Sequence, residues 1–161
     1  MMGNLNQYLM KAFDAYPYDL KGTIESLDYA MSYDNENPMT LCLYGKVYAE
    51  QFLDYKSAIQ YFSDALAADL DAVYVYPLYI QALVDYEEYD QADKLIEYAM
   101  KVKGVNKSDI LCRAIISFEK QLKFNKALKY LKRLKGTVLS NDYQSFMDSA
   151  TARIKQKKSG K

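Results

Sequence analysis

The chain has 161 residues, half of them hydrophobic, which is enough for one domain with a continuous core and argues against disorder away from the ends. It contains no histidine, so Ser–His and Cys–His nucleophile pairs are excluded and the usual general base at neutral pH is missing. Its 21 Lys and Arg balance 21 Asp and Glu, whereas nucleic-acid binders usually carry a positive excess.

In chain order, apolar residues fall three and four apart and the same order of residues occurs four times. The first copy reads Asn6, Leu9, Met10, Phe13, then Asp19-Leu20, Thr23, Leu27, Ala30 and Asp34. The second reads Leu41, Tyr44, Gly45, Tyr48, then Asp54-Tyr55, Ala58, Phe62, Ala65 and Asp69. The third reads Tyr76, Tyr79, Ile80, Leu83, then Glu88-Tyr89, Ala92, Ile96 and Ala99. The fourth reads Leu111, Ala114, Ile115, Phe118, then Lys123-Phe124, Ala127, Leu131 and Leu134. Successive copies are 35, 34 and 35 residues apart, a period that predicts a helical solenoid. Each unit is a pair of helices too small to bury its own stripe, so it must stack on the next. The repeats are placed near 4–37, 38–71, 72–105 and 106–137. After Gly136 the pattern stops. A capping helix near 140–156 is expected, with Tyr143, Phe146, Met147, Ala150 and Ile154 inward and Gln144, Asp148, Arg153 and Lys155 outward. Residues 1–156 are read as a single domain and 157–161 as a disordered basic tail.

This order of residues resembles the tetratricopeptide repeat family. The family's unit is a helix A with large–large–Gly–large spacing and a helix B carrying Ala–aromatic–Ala, and the resemblance covers about residues 4–136. It implies an all-α, right-handed superhelical solenoid of about four helix-turn-helix hairpins with a C-terminal capping helix. Ala58, Ala92 and Ala127 are expected at the close A–B contacts. The chain departs from the pattern where Met10, Ile80 and Ile115 replace the glycine kept at Gly45; these should widen the A–B spacing or change the pitch. Gly104 and Gly136 are C-cap candidates for the third and fourth repeats.

The family's concave groove is lined by helix A. The resemblance implies a groove drawn from Gln7, Lys11 and Asp14; Met39, Cys42, Lys46 and Glu50; Tyr74, Pro77, Gln81 and Asp85; and Asp109, Cys112, Ile116 and Lys120. Lys11, Cys42, Lys46, Tyr74, Gln81, Asp85, Cys112, Ile116 and Lys120 are the selected peptide-binding candidates. Family members that hold the acidic tails of heat-shock chaperones use a Lys and Asn clamp. Here only Lys46 matches a basic slot, and Leu43 and Leu78 stand in the Asn slots, so that clamp is absent or different. The mixed lining suits an extended or helical peptide with apolar anchors.

The remaining motifs carry little chemistry. Cys42 and Cys112 lie two repeats apart, too far for a disulfide, and with no His and no CxxC neither zinc nor any other cofactor is expected. No Gly-rich phosphate loop occurs, and the carboxylate pairs sit at helix ends, where acids also act as caps. No enzyme activity is expected. The 17 tyrosines, with no Trp, are read as fillers between helices, with Tyr74 as a possible groove anchor. No apolar run reaches the length of a membrane span, and the opening MMGNLNQYLMKAF does not read as a secretory signal, so a cytoplasmic protein is expected.

Charge is distributed unevenly. Residues 1–104 hold 7 Lys/Arg and 17 Asp/Glu, a net of −10; residues 105–161 hold 14 and 4, a net of +10. Lys126, Lys129 and Arg133 share one face of the last helix B. They read as a solvated face, as a contact for an acidic protein surface including another copy, or as a site for RNA. The functional expectation is a non-catalytic adaptor or chaperone holding a peptide of a protein partner. The alternatives are a self-assembling module, giving a weak homo-oligomer through its opposite charges, and an RNA-associated factor; nucleic acid and membrane are not the expected partners.

Overall fold

The computed structural model describes residues 2–160, with side chains from Leu5 onward. The fold is all-α: α1 (Met2–Ala15), α2 (Leu20–Tyr33), α3 (Pro38–Glu50), α4 (Tyr55–Ala68), α5 (Val75–Asp85), α6 (Tyr89–Ala99), α7 (Lys107–Lys120), α8 (Phe124–Thr137), a 3₁₀ turn at Asn141–Tyr143, and α9 (Gln144–Ser159). No strand occurs among the described residues.

Local chemistry sets the helix starts. Asp19, Asn37, Asp54 and Asn106 accept hydrogen bonds from the backbone N–H of Gly22, Thr40, Ser57 and Asp109 at 2.9–3.2 Å, satisfying donors that the first helical turn leaves orphaned. Pro38 fills the first position of α3, where its missing N–H costs nothing. Helix A then ends in a recurring way. Leu53, Glu87 and Leu122 adopt positive φ of 52°, 62° and 60°, each one residue before the cap of the following helix B. At the end of α7 the Lys123 N–H reaches the Phe118 carbonyl at 2.8 Å and the Leu122 N–H reaches that of Glu119 at 3.0 Å, a Schellman pattern with leucine where glycine is usual.

The chain forms two compact units, Met1–Tyr86 and Glu87–Lys161. In the first, α1 pairs with α2 and α3 with α4, and α5 packs on α4. In the second, α7 pairs with α8, and α9 packs on α8. The first unit's core contains Leu9, Ala12, Leu27, Leu43, Tyr44 and Val47, with Tyr16, Leu20, Tyr48 and Tyr61 packed against it. Ala58, Ala92 and Ala127 are fully buried. Thr23, where later repeats have alanine, is also fully buried because its hydroxyl donates to the Asp19 carbonyl at 2.7 Å.

Four expectations are corrected. Met10 and Phe13 are 65% and 45% exposed rather than interior; α1 turns Leu9 and Ala12 inward instead, both buried in the core of the first unit. Gly136 lies inside α8, which runs on to Thr137 and is capped by Val138, so it terminates nothing. Gly104, at φ 89°, stands in the loop beyond Ala99, where α6 has already ended, and is not its cap. Residues 157–159 are helical, and α9 continues because its basic side chains find a buried partner on α7.

That partner is Glu119. Its carboxylate is 7% exposed and receives Arg153 through Nε at 2.6 Å and Nη2 at 2.9 Å, and Lys157 through Nζ at 2.7 Å. Arg153, expected to face water, is thus part of the closure. Met147, Ala150 and Ile154 supply its apolar half.

Candidate functional site

On α3, Met39, Cys42, Leu43 and Lys46 lie at i, i+3, i+4 and i+7, which places them on one face. On α5, Leu78 lies one turn after Tyr74, the residue that precedes the helix. With Phe13 from α1, these residues line a pocket of about 330 Å³ in the first unit. Its wall is apolar apart from the Cys42 thiol, the Tyr74 hydroxyl and the Lys46 ammonium. Lys46 extends from the pocket over the Tyr16 ring, 5.6 Å from its centroid. Tyr16 in turn donates to Glu50 Oε1 at 2.5 Å and accepts from Gln51 at 3.5 Å, which fixes the rim.

Burial sets the ionisation of the lining. It pushes the Cys42 thiol up to about 12, against a smaller pull from the Lys46 charge. It pushes the Tyr74 phenol up to about 12, with Cys42 and Asp69 adding to the rise. At neutral pH both are uncharged, so Cys42 is a small apolar surface with a weak donor and not a nucleophilic thiolate. Lys46 is therefore the charged group of this wall, and the pocket offers apolar contact with one cation at its edge.

The structure brings Cys42, Lys46 and Tyr74 together and leaves the other candidates elsewhere. Lys11 on α1 sits over the Tyr8 ring at 5.3 Å. Gln81 donates to Asp85 at 3.0 Å further along α5. Cys112, Ile116 and Lys120 belong to α7 in the second unit; Cys112 is a half-buried free thiol, pushed up to about 11 by burial and then by Asp109, against a pull from Arg113. Phe13, Leu43 and Leu78 were not selected from the sequence. The signal was there for two of them: Leu43 and Leu78 recur 35 residues apart beside the groove positions. Phe13 could not be placed because the rotation of α1 is not written in its own spacing.

Lys126, Lys129 and Arg133 are all exposed on α8. Among the described residues, no group of three or more Cys, Asp or Glu is placed to hold a metal ion, and no helix is long and apolar enough to cross a membrane.

No protein-family profile matches the chain, and no curated protein matches it in sequence. Among solved structures, the crystal structure of MamA protein matches with a TM-score of 0.71, covering 98% of this chain and 91% of that one at 17% identity. The likeness is one of fold. It agrees with the all-helical repeat architecture of this chain.

Proposed function

We propose that the chain is a tetratricopeptide-type, non-catalytic interaction module, an adaptor or chaperone of the cytoplasm that holds a peptide segment of a protein partner against the helix A face of its first unit. The observation that carries this reading is the apolar pocket of Phe13, Met39, Cys42, Leu43, Tyr74 and Leu78 with Lys46 at its edge. At about 330 Å³ it accepts one large apolar side chain, with the lysine at the edge to meet a polar or acidic neighbour in the peptide. The repeat fold supports it, since stacked hairpins present extended surfaces suited to segments rather than to small substrates.

Selection from a random peptide library tests this, followed by titration calorimetry of the selected peptides. The expected peptides share one Leu, Met or Phe anchor and lose about tenfold or more in affinity against Leu78→Arg, which puts a charge in the pocket wall. Selected peptides that bind Leu78→Arg as well as the native chain would overturn the reading.

A further inference from the structure

A second interaction surface lies on α8, in the other unit. That helix carries Lys126, Lys129, Lys132, Arg133 and Lys135, with Lys123 at its N-cap, and no acidic residue at all. Its buried residues, Phe124, Ala127, Leu131 and Leu134, define one side. At 100° per residue Lys129 points directly away from them, with Lys126 and Arg133 on one shoulder and Lys132 on the other.

Four cations elsewhere in the unit have acidic partners. Arg113 holds Asp109 at 2.9 Å, Arg153 and Lys157 hold Glu119, and Lys123, at the start of α8, lies 3.9 Å from Asp93. Among the described residues, Lys126, Lys129, Lys132, Arg133 and Lys135 have no acidic partner within 4 Å. They are also like-charge neighbours at i+3 and i+4, an arrangement that costs helix stability. Two of them are held in place by ring faces: Lys126 Nζ lies 4.5 Å from the Phe118 centroid and the Arg133 guanidinium 4.8 Å from that of Tyr130. Phe118 and Tyr130 meet edge to face at 4.8 Å, so both cations share one aromatic base.

We infer that this outer face of α8 docks a short acidic segment of a partner protein, one with Asp or Glu recurring at three- and four-residue spacing. Two observations favour such a segment over nucleic acid. The rings that could stack bases are already used, since Phe118 is buried and Arg133 covers Tyr130. The chain as a whole also holds 21 Lys/Arg against 21 Asp/Glu, without the positive excess that nucleic-acid binders usually carry. A short acidic segment needs only this one basic face. This surface shares no residue with the pocket in the first unit, so the two proposals stand or fall independently.

The test uses the full chain and a labelled, glutamate-rich helical peptide, read by fluorescence anisotropy, with a single-stranded oligouridylate of equal charge in parallel. Peptide binding is expected at about 0.1 M salt and should be lost near 1 M, where the Debye length falls from about 10 Å to 3 Å. Lys126→Glu with Lys129→Glu and Arg133→Glu should weaken it more than about tenfold. A second variant, Lys129→Glu with Lys132→Glu and Lys135→Glu, spares both ring contacts. With helicity unchanged it should show the same loss, while Leu78→Arg leaves binding intact. Absence of peptide binding at low salt, or binding that survives the second variant, overturns the inference. So does oligonucleotide binding as tight as that of the peptide. Loss of peptide binding in Leu78→Arg would move the site to the pocket and overturn it as well. Salt-sensitive self-association that the same variants abolish would assign the face to a second copy instead.

Discussion

Glu50 and Glu119 occupy corresponding places in the two units, each three residues before the left-handed residue that ends its helix A. Their surroundings differ. Glu50 is exposed and accepts one hydrogen bond from the Tyr16 hydroxyl. Glu119 is buried and accepts three charge-assisted bonds from α9. The same residue type in the same place is thus an ornament of the rim in one unit and the anchor of the closing helix in the other. Solvent decides the difference: an exposed pair contributes little, whereas a buried carboxylate is costly to leave without its partners.

Removing Arg153 should therefore have the largest effect. Arg153→Ala leaves Glu119 with Lys157 alone and is expected to cost about 3 kcal/mol, read as a fall in the urea midpoint with fraying of α9. Replacing both members, Glu119→Leu with Arg153→Met, should recover most of that loss, because no buried charge then lacks a partner. A double variant as unstable as Arg153→Ala would show that shape and not charge fixes α9. Acid provides a second reading. The Arg153 hydrogen bonds hold the Glu119 carboxyl below the ordinary glutamate range, with Lys157 adding to the effect against burial. A depressed folded value means the contribution is complete above the unfolded value, about pH 4.3, and is lost as the pH falls through the folded one. The native chain should lose stability over that acid window and Glu119→Leu/Arg153→Met should not.

Gly45 sharpens the contrast from the side of the first unit, where no buried charged residue occurs among the described residues. A Cβ there would stand 2.5 Å from Phe62 Cε1, and the Phe62 ring is 1% exposed. Gly45→Ala must displace that ring and is expected to cost about 1–3 kcal/mol. Shortening the neighbour in the double variant Gly45→Ala/Phe62→Leu should cost less than the sum of the single changes, as expected for residues in contact. Additive costs in chemical denaturation would remove the clash as the cause.

These two sites also mark what the sequence can and cannot disclose. The glycine and the aromatic, the period and the buried alanines are legible because every copy must solve the same packing problem. Gly45 and Phe62 are recognisable before any coordinates. Glu119 with Arg153 and Lys157 is not, because that set joins residues 34 and 38 apart and occurs once. The pocket falls between. Cys42, Lys46 and Tyr74 follow from helix A spacing, but Phe13 joins them only because α1 is rotated to bury Leu9 and Ala12. The left-handed turn residues were hidden for a different reason. Leucine and glutamate at Leu53, Leu122 and Glu87 give no sign of positive φ, which glycine would have advertised.

Gly136 should move stability the other way. It sits within α8 with open space where a Cβ would go. Gly136→Ala keeps the helix, removes conformational freedom from the unfolded chain and should raise stability by about 0.5–1 kcal/mol. A lowered thermal midpoint would mean that the end of α8 needs the freedom of glycine after all.

The smallest effect is expected at Tyr16, and its dependence on pH tests the opening contrast most directly. Tyr16→Phe keeps the ring beneath Lys46 and removes the hydroxyl bond to Glu50, an exposed link expected to contribute about 0.5 kcal/mol. Burial, and then the bond to Glu50, push the Tyr16 phenol up to about 12 from an ordinary value of 10.0. A raised folded value favours the protonated form, so the contribution is whole below pH 10 and is lost as the pH climbs towards 12. The native chain should therefore be slightly more stable than Tyr16→Phe at neutral pH and should lose that lead in alkali, the reverse of the acid-side loss at Glu119. Denaturation midpoints at matched pH measure it. A lead that persists unchanged to pH 12 would show that it does not come from the protonated hydroxyl, and no lead at neutral pH would show that the bond to Glu50 contributes nothing.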